Sequence, residues 1–272
     1  MNYEIKTAII AILIAFAADV FICPFFIPFL RRVKFGQNVR SDGPQTHLKK
    51  AGTPTMGGIA ILISFLISAV FFLNDNFEAV ILVVVTLGFG IIGFLDDYIK
   101  VVMKRSLGLR AAQKIVLQLI VCFVFFFLLN LNDDPDNSYK VISIPFFNIE
   151  WDMGVLFYPF ALVFIIGFVN AVNLTDGLDG LASGVTALVS TFFMLTSFGM
   201  GSGIFPVTGS AVGSLLGFLL FNSYPAKVIM GDTGSLALGG FVAAASIILR
   251  MPLFLVLVGM MYVIEAASVI IQ

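Results

Sequence analysis

Charge is what this sequence has least of. Its 272 residues include 15 Lys or Arg and 16 Asp or Glu, 11% of the chain, against 60% hydrophobic residues. A soluble domain carries about 25% charged residues, so this chain cannot cover its surface with polar groups. Its solvent is largely lipid, which excludes a soluble enzyme and a disordered chain. The net charge of −1 leaves no basic excess for nucleic acid. Cysteine is scarce too. Cys23 and Cys122 lie in apolar runs, read as inert small hydrophobes, and exclude a disulfide scaffold. No small-residue cleavage site follows the first apolar run. Arg31 and Arg32 follow it instead, so it reads as a retained first span and not a signal peptide.

What is present is a series of apolar runs long enough to cross a bilayer, which takes about 20 residues each. They lie near 7–30, 56–73, 79–95, 111–131, 153–172, 178–200, 205–222, 235–250 and 252–272. The expected fold is an all-α polytopic membrane protein with about nine transmembrane helices, and residues 1–272 form one integral membrane domain. No internal repeat stands out, which weakens an inverted-repeat transporter reading.

Basic residues orient the spans. Arg31, Arg32, Lys34, Arg40, Lys49 and Lys50 follow span one, Lys100, Lys104, Arg105, Arg110 and Lys114 follow span three, and Lys227 follows span seven. Only Lys6, Lys140 and Arg250 fall on the other side. The N-terminus is therefore expected outside, with the loops after spans one, three, five and seven in the cytoplasm. The outer segment 132–152 holds two β-prone pieces, YKVISI and FNIEW, around Pro145, and predicts a small external β-hairpin.

The cytoplasmic loops contain six acids. Asp42 sits in a turn-rich stretch, SDGPQ, and reads as a turn residue. The other five close apolar runs in glycine-rich surroundings: Asp96 and Asp97 in FLDDYIK, Asp176 and Asp179 in NLTDGLDG, and Asp232 in MGDTGS. Adjacent carboxylates repel unless a cation neutralises them or one is held protonated. Hard oxygen ligands on loops suit Mg2+, which is commonly shared with substrate phosphates. Nearby glycines let phosphate approach the backbone, and the helix start after Thr233 is expected to offer N–H donors. Lys50, Lys100, Lys104 and Lys114 add positive charge. Taken together, these residues predict a magnesium-dependent phosphoryl-transfer site at the cytoplasmic interface.

Four strings carry a resemblance: KKAGTPTMGG (49–58), DDYIKVV with Lys104 and Lys114 downstream, NAVNLTDGLDGLASG (170–184), and GDTGSLALGG (231–240). The chain resembles the phospho-N-acetylmuramoyl-pentapeptide-transferases, of the polyprenyl-phosphate N-acetylhexosamine-1-phosphate transferase superfamily. That resemblance implies transfer of phospho-MurNAc-pentapeptide from UDP-MurNAc-pentapeptide to undecaprenyl phosphate, giving lipid I and UMP for peptidoglycan synthesis. It implies ten membrane helices, a requirement for Mg2+, a homodimer, and a bacterial plasma membrane with the active site toward the cytoplasm. By the family's motifs, Asp232 matches the magnesium-binding aspartate. Asp96 and Asp97 match an acidic pair whose first member is proposed as base. Asn170, Asn173, Asp176 and Asp179 match the nucleotide-side loop, and Lys50, Thr55, Lys100 and Lys114 match polar residues of the cleft.

Two departures stand out. The family carries a histidine-rich motif after its ninth span, whereas the only histidine here is His47, read as a loop residue, and the sequence is still apolar at Gln272. A further cytoplasmic loop and last helix are therefore expected to be missing. Ile229 stands where the family often has an aromatic near the uracil. Two acids within apolar runs are costly in lipid: Glu265 is read as facing the cleft and contacting substrate, and Asp19 as an interhelical partner. The alternatives are a transferase using UDP-N-acetylglucosamine as donor and, from another class, a cation-coupled transporter. The second is disfavoured because the acids gather at one interface and not at the midplane.

Overall fold

The computed structural model describes residues 3–33, 52–73, 76–103, 107–132, 138–147 and 149–271. The chain forms α1 (Tyr3–Arg32), α2 (Gly58–Ala69, continued by a 3-10 turn Val70–Phe72), α3 (Phe77–Val101), α4 (Ala111–Leu131), β1 (Val141–Ile144), β2 (Ile149–Asp152), α5 (Phe157–Thr175), α6 (Leu181–Gly199), α7 (Phe205–Asn222), α8 (Gly231–Ile248), α9 (Pro252–Val258) and α10 (Met260–Ile271). An apolar run in lipid must satisfy its backbone internally, so these runs become helices.

Each of the nine apolar stretches is helical, but they are not equivalent. Among the described residues seven helices are long and apolar enough to cross a membrane, Gly58–Phe72 is shorter, and α9 and α10 meet at a 74° bend at Gly259 that makes them a broken span or a re-entrant segment. Hydropathy counts apolar residues and is blind to such a break.

The core is built around α8. Beyond Gly231 and Asp232 every residue of this helix is buried, with α3, α5 and α2 packed against it. Close approach is what its glycines supply. A Cβ on Gly58 of α2 would overlap the backbone of Gly234, and one on Gly93 of α3 would overlap the Asp232 carbonyl. Without a hydrophobic force between helices in lipid, such backbone proximity is a main source of association.

Helix α1 packs along α7, where a Cβ on Gly213 would overlap Ile12. Asp19 is fully buried there, and it pairs helices as its cost in lipid predicts. The Ser64 hydroxyl on α2 donates to its Oδ2 at 2.8 Å and the Cys23 thiol to its Oδ1 at 2.9 Å. Both cysteines are free and buried. On the far flank, the Tyr262 hydroxyl of α10 donates to Thr186 Oγ1 of α6 at 2.8 Å.

The expected hairpin is present. Strands β1 and β2 pair antiparallel, with Ile142 opposite Trp151 and Ile144 opposite Ile149. It lies at the end of the bundle opposite the acids: the Ser143 N–H donates to the Arg250 carbonyl beyond the C-terminus of α8 at 2.8 Å, and the Tyr139 hydroxyl donates to Glu78 Oε1 in the first turn of α3 at 2.9 Å.

Candidate functional site

The site forms where α8 begins. The first N–H groups of a helix have no partner within it, and here carboxylates from other elements take them. Asp97 of α3 accepts from the Asp232 N–H at 3.2 Å, the Thr233 N–H at 2.8 Å and the Thr233 hydroxyl at 2.6 Å. Asp176, just past α5, accepts from the Gly231 N–H at 3.2 Å. Asp179 accepts from the Ala226 N–H at 3.1 Å and so braces the loop leading into α8. Segment 54–58 pairs with 229–230 from the other side. Ile229 N–H donates to Pro54 O at 2.8 Å, Gly57 N–H to Ile229 O at 2.9 Å, and Gly58 N–H to Met230 O at 2.8 Å. Ile229 is buried by this pairing. Gly231 has φ +75°, and a side chain on it would meet Asp97 Oδ2 and Thr55 Oγ1, each at 2.8 Å, which places Thr55 beside the same helix start.

The remaining two aspartates meet lysines. Asp232 Oδ2 pairs with Lys100 Nζ and Lys114 Nζ, each at 3.0 Å, while its Oδ1 accepts from Asn173 Nδ2 at 2.9 Å. Lys100 also pairs with Asp96, one turn before it on α3, so a single ammonium bridges both carboxylates. Asp96 Oδ1 accepts from the Leu109 N–H at 2.7 Å, which ties the 107–110 loop to the site. The Asp232 side chain is 17% exposed and that of Lys100 35%, so solvent reaches this pair, whereas Asp96 lies beneath at 3%.

Five aspartates that look alike in sequence therefore separate into two groups. Asp96 and Asp232 join the lysine cluster, and Asp97, Asp176 and Asp179 hold backbone. The N–H groups of Gly231, Asp232 and Thr233 are occupied by carboxylates, so the expectation that this helix start offers free donors to phosphate needs correction. The charges that could meet a phosphate are the lysines.

Asn173 and Asn170 also part company. Asn173 reaches Asp232 and the Ser235 hydroxyl, the latter at 2.7 Å. Asn170, one turn deeper, forms a reciprocal amide pair with Gln118 of α4 at 3.1 and 3.4 Å. Glu265 lies on α10, which packs against α5, and makes no hydrogen bond or ion pair with the cluster among the described residues. Lys50, Lys104, His47 and Asp42 lie outside the described residues. Gln118 and Ser235 were not singled out from sequence. Helical spacing is the signal that finds them, because Gln118 follows Lys114 by one turn and Ser235 follows Asp232 by three residues.

The residues present fit a Mg2+ held by one or two carboxylates and completed by water and substrate oxygens. Asp96 and Asp232 already converge on one cation, the Lys100 ammonium. They do not make an all-protein cage: no group of three His, Cys, Asp or Glu among the described residues is placed to hold a metal.

Comparison with known proteins shows the family. The glycosyl transferase family 4 model matches residues 79–250, from α3 to the end of α8. Signature 1 of phospho-N-acetylmuramoyl-pentapeptide-transferase matches residues 50–62. Proteins named phospho-N-acetylmuramoyl-pentapeptide-transferase are similar over nearly the whole chain. That of Clostridium kluyveri is 49% identical over 97% of this chain and 83% of its own length. The Clostridioides difficile protein is 49% identical over 96% of this chain and 80% of its own length. The Halalkalibacterium halodurans protein is 44% identical over 98% and 82% respectively. The chain belongs to the phospho-N-acetylmuramoyl-pentapeptide-transferases of glycosyl transferase family 4.

Proposed function

We propose that this membrane transferase moves phospho-MurNAc-pentapeptide from its UDP carrier to undecaprenyl phosphate, giving lipid I and UMP. The observation that carries the reading is the convergence of Lys100, Lys114, Asp96 and Asn173 on Asp232 at one end of the bundle. An oxygen of the acceptor phosphate bonds to the phosphorus bearing the sugar. The bond from that phosphorus to the UMP oxygen breaks, and its electron pair leaves with UMP.

Such a transfer needs positive charge around a crowded set of phosphate oxygens and little covalent help from the protein. Lys100 and Lys114 supply it, and the carboxylates hold both ammonium groups at one point until substrate arrives. Asp96 lies beneath Lys100 and would hold that ammonium toward the incoming lipid phosphate. Asp232 and Asp96 would hold the magnesium ion, which when bound supplies Lewis-acid polarisation of the pyrophosphate. Asp97, Asp176 and Asp179 act through α8 and its leading loop as positioning residues.

Basic loops at the acid end support a cytoplasmic orientation of the site, which suits a soluble UDP-linked donor. The homodimer rests on the family resemblance. The signature at 50–62 supports the muramoyl donor over UDP-N-acetylglucosamine. The test is UMP release by the purified protein with undecaprenyl phosphate and each UDP-sugar, with and without Mg2+. UMP release only with UDP-MurNAc-pentapeptide and only with Mg2+ is expected. Equal release with UDP-N-acetylglucosamine, or release undiminished by a chelator, overturns the reading.

A further inference from the structure

We infer that the β-hairpin is an interfacial anchor, its aromatic tip seated in the bilayer at the boundary opposite the acid cluster. The hairpin is two-sided. Ile142, Ile144, Ile149 and Trp151 share one face, while Val141, Ser143, Glu150 and Asp152 share the other. Ile142 is buried against the bundle. Among the described residues nothing covers the tip: Phe146 is 88% exposed and Phe147 70%, and Trp151 is 49% exposed on the strand behind them. Val155 and Leu156, between the hairpin and α5, are exposed as well. Phe146 also has φ +68°, a left-handed conformation in which a bulky residue is strained. Exposed aromatic surface gathered at the end of a hairpin calls for a partner that covers it.

The bundle says which partner. The hairpin is tied to the ends of four helices on one side: Ser143 to Arg250 after α8, Tyr139 to Glu78 at the start of α3 and to Asn132 at the end of α4 (2.7 Å), and β2 running through a short turn into α5. Three of these helices and α5 are candidate spans, so the hairpin is held at the level where the spans leave the hydrocarbon. Aromatic rings are enriched at that level, where an apolar ring sits beside headgroups and water. Tyr158 lies there as well, its hydroxyl on Asn130 at 2.7 Å and the Lys140 ammonium 5.9 Å from its ring. Glu150 and Asp152 on the opposite hairpin face suit water. The occupant of the apolar tip is therefore the lipid interface, and the anchor fixes how deep the bundle sits.

Trp151 is the only tryptophan in the chain, so the native protein carries its own probe. In vesicles of phosphatidylcholine and phosphatidylglycerol, lipids brominated near the headgroup end of the acyl chain should remove most of the Trp151 emission. Bromines near the methyl end should remove less, and aqueous iodide little. A Phe146→Trp, Trp151→Phe variant moves the probe to the tip, where shallow bromines should quench more strongly still. Iodide quenching without bromolipid quenching places the hairpin in water and overturns the proposal. Shielding from both quenchers means protein covers the tip, a second copy included, and overturns it equally. The native-protein measurement decides the matter even if the variant fails to fold.

Discussion

Asp97 grips Thr233 twice, its Oδ2 accepting both the backbone N–H at 2.8 Å and the hydroxyl at 2.6 Å. One carboxylate from α3 thus sets the first turn of α8, on which Asp232 stands. Hydrogen bonds to a charged group contribute about 1.5–3 kcal/mol. Asp97→Ala is therefore expected to lower the thermal midpoint in detergent and to reduce UMP release. Thr233→Val, which removes one of the bonds, should give a smaller shift in the same direction. An Asp97→Ala protein as stable as the parent would show that this cap does not position the helix.

Asp96 and Asp232 should behave differently from Asp97. They lie in the lysine cluster, so Asp96→Asn and Asp232→Asn should lower the UMP release rate by a factor on the order of 10²–10³. Their thermal midpoints should move less than that of Asp97→Ala. Full activity in both variants would refute the proposed function.

Lys100 and Lys114 meet at a single oxygen of Asp232. Groups that share a partner are not independent, and coupling of about 0.5–3 kcal/mol is expected between them. A double-mutant cycle of Lys100→Gln and Lys114→Gln, read as kcat/KM for UMP release, measures it. Simple additivity would mean that the two ammonium groups do separate work.

Gly58 and Gly234 test the packing that places the site. A methyl group on Gly58 would overlap the Gly234 backbone, and backbone cannot give way as a flexible side chain can. Overpacking costs about 1–3 kcal/mol and occasionally more, so Gly58→Ala should reduce both the thermal midpoint and activity. Gly184, with nothing within 4 Å of its missing Cβ, is the matched control, and Gly184→Ala should leave both unchanged.

The buried pair of Ser64 and Asp19 offers the converse. Losing the 2.8 Å bond leaves a buried carboxylate with one donor fewer, a cost of about 1–3 kcal/mol. Ser64→Ala should lower the thermal midpoint while the UMP release rate of the folded protein stays at the parent level. A fall in rate without a fall in midpoint would give Asp19 a part in function.

Much of this was legible in the order of residues alone. Membrane class follows from composition, because 11% charge cannot solvate the surface of a soluble protein. The helical stretches follow from runs of apolar residues. The gathering of five aspartates at one end follows from where those runs stop, and the hairpin from alternation around Pro145. These properties are local, and sequence records local properties directly. The family was legible as well, in four strings spread from residue 49 to 240.

Tertiary structure alone decided what each aspartate does. Asp96 and Asp97 are neighbours on one helix, yet one meets Lys100 and the other meets the start of α8, 135 residues away. Successive positions on a helix point about 100° apart, so adjacent carboxylates face different elements. Which donor each one finds depends on the backbone that packing brings opposite it. The break at Gly259, the pairing of Asn170 with Gln118, and the exposed ring of Phe146 have the same origin. Each depends on contacts between segments far apart in the chain, and composition and periodicity carry no record of those.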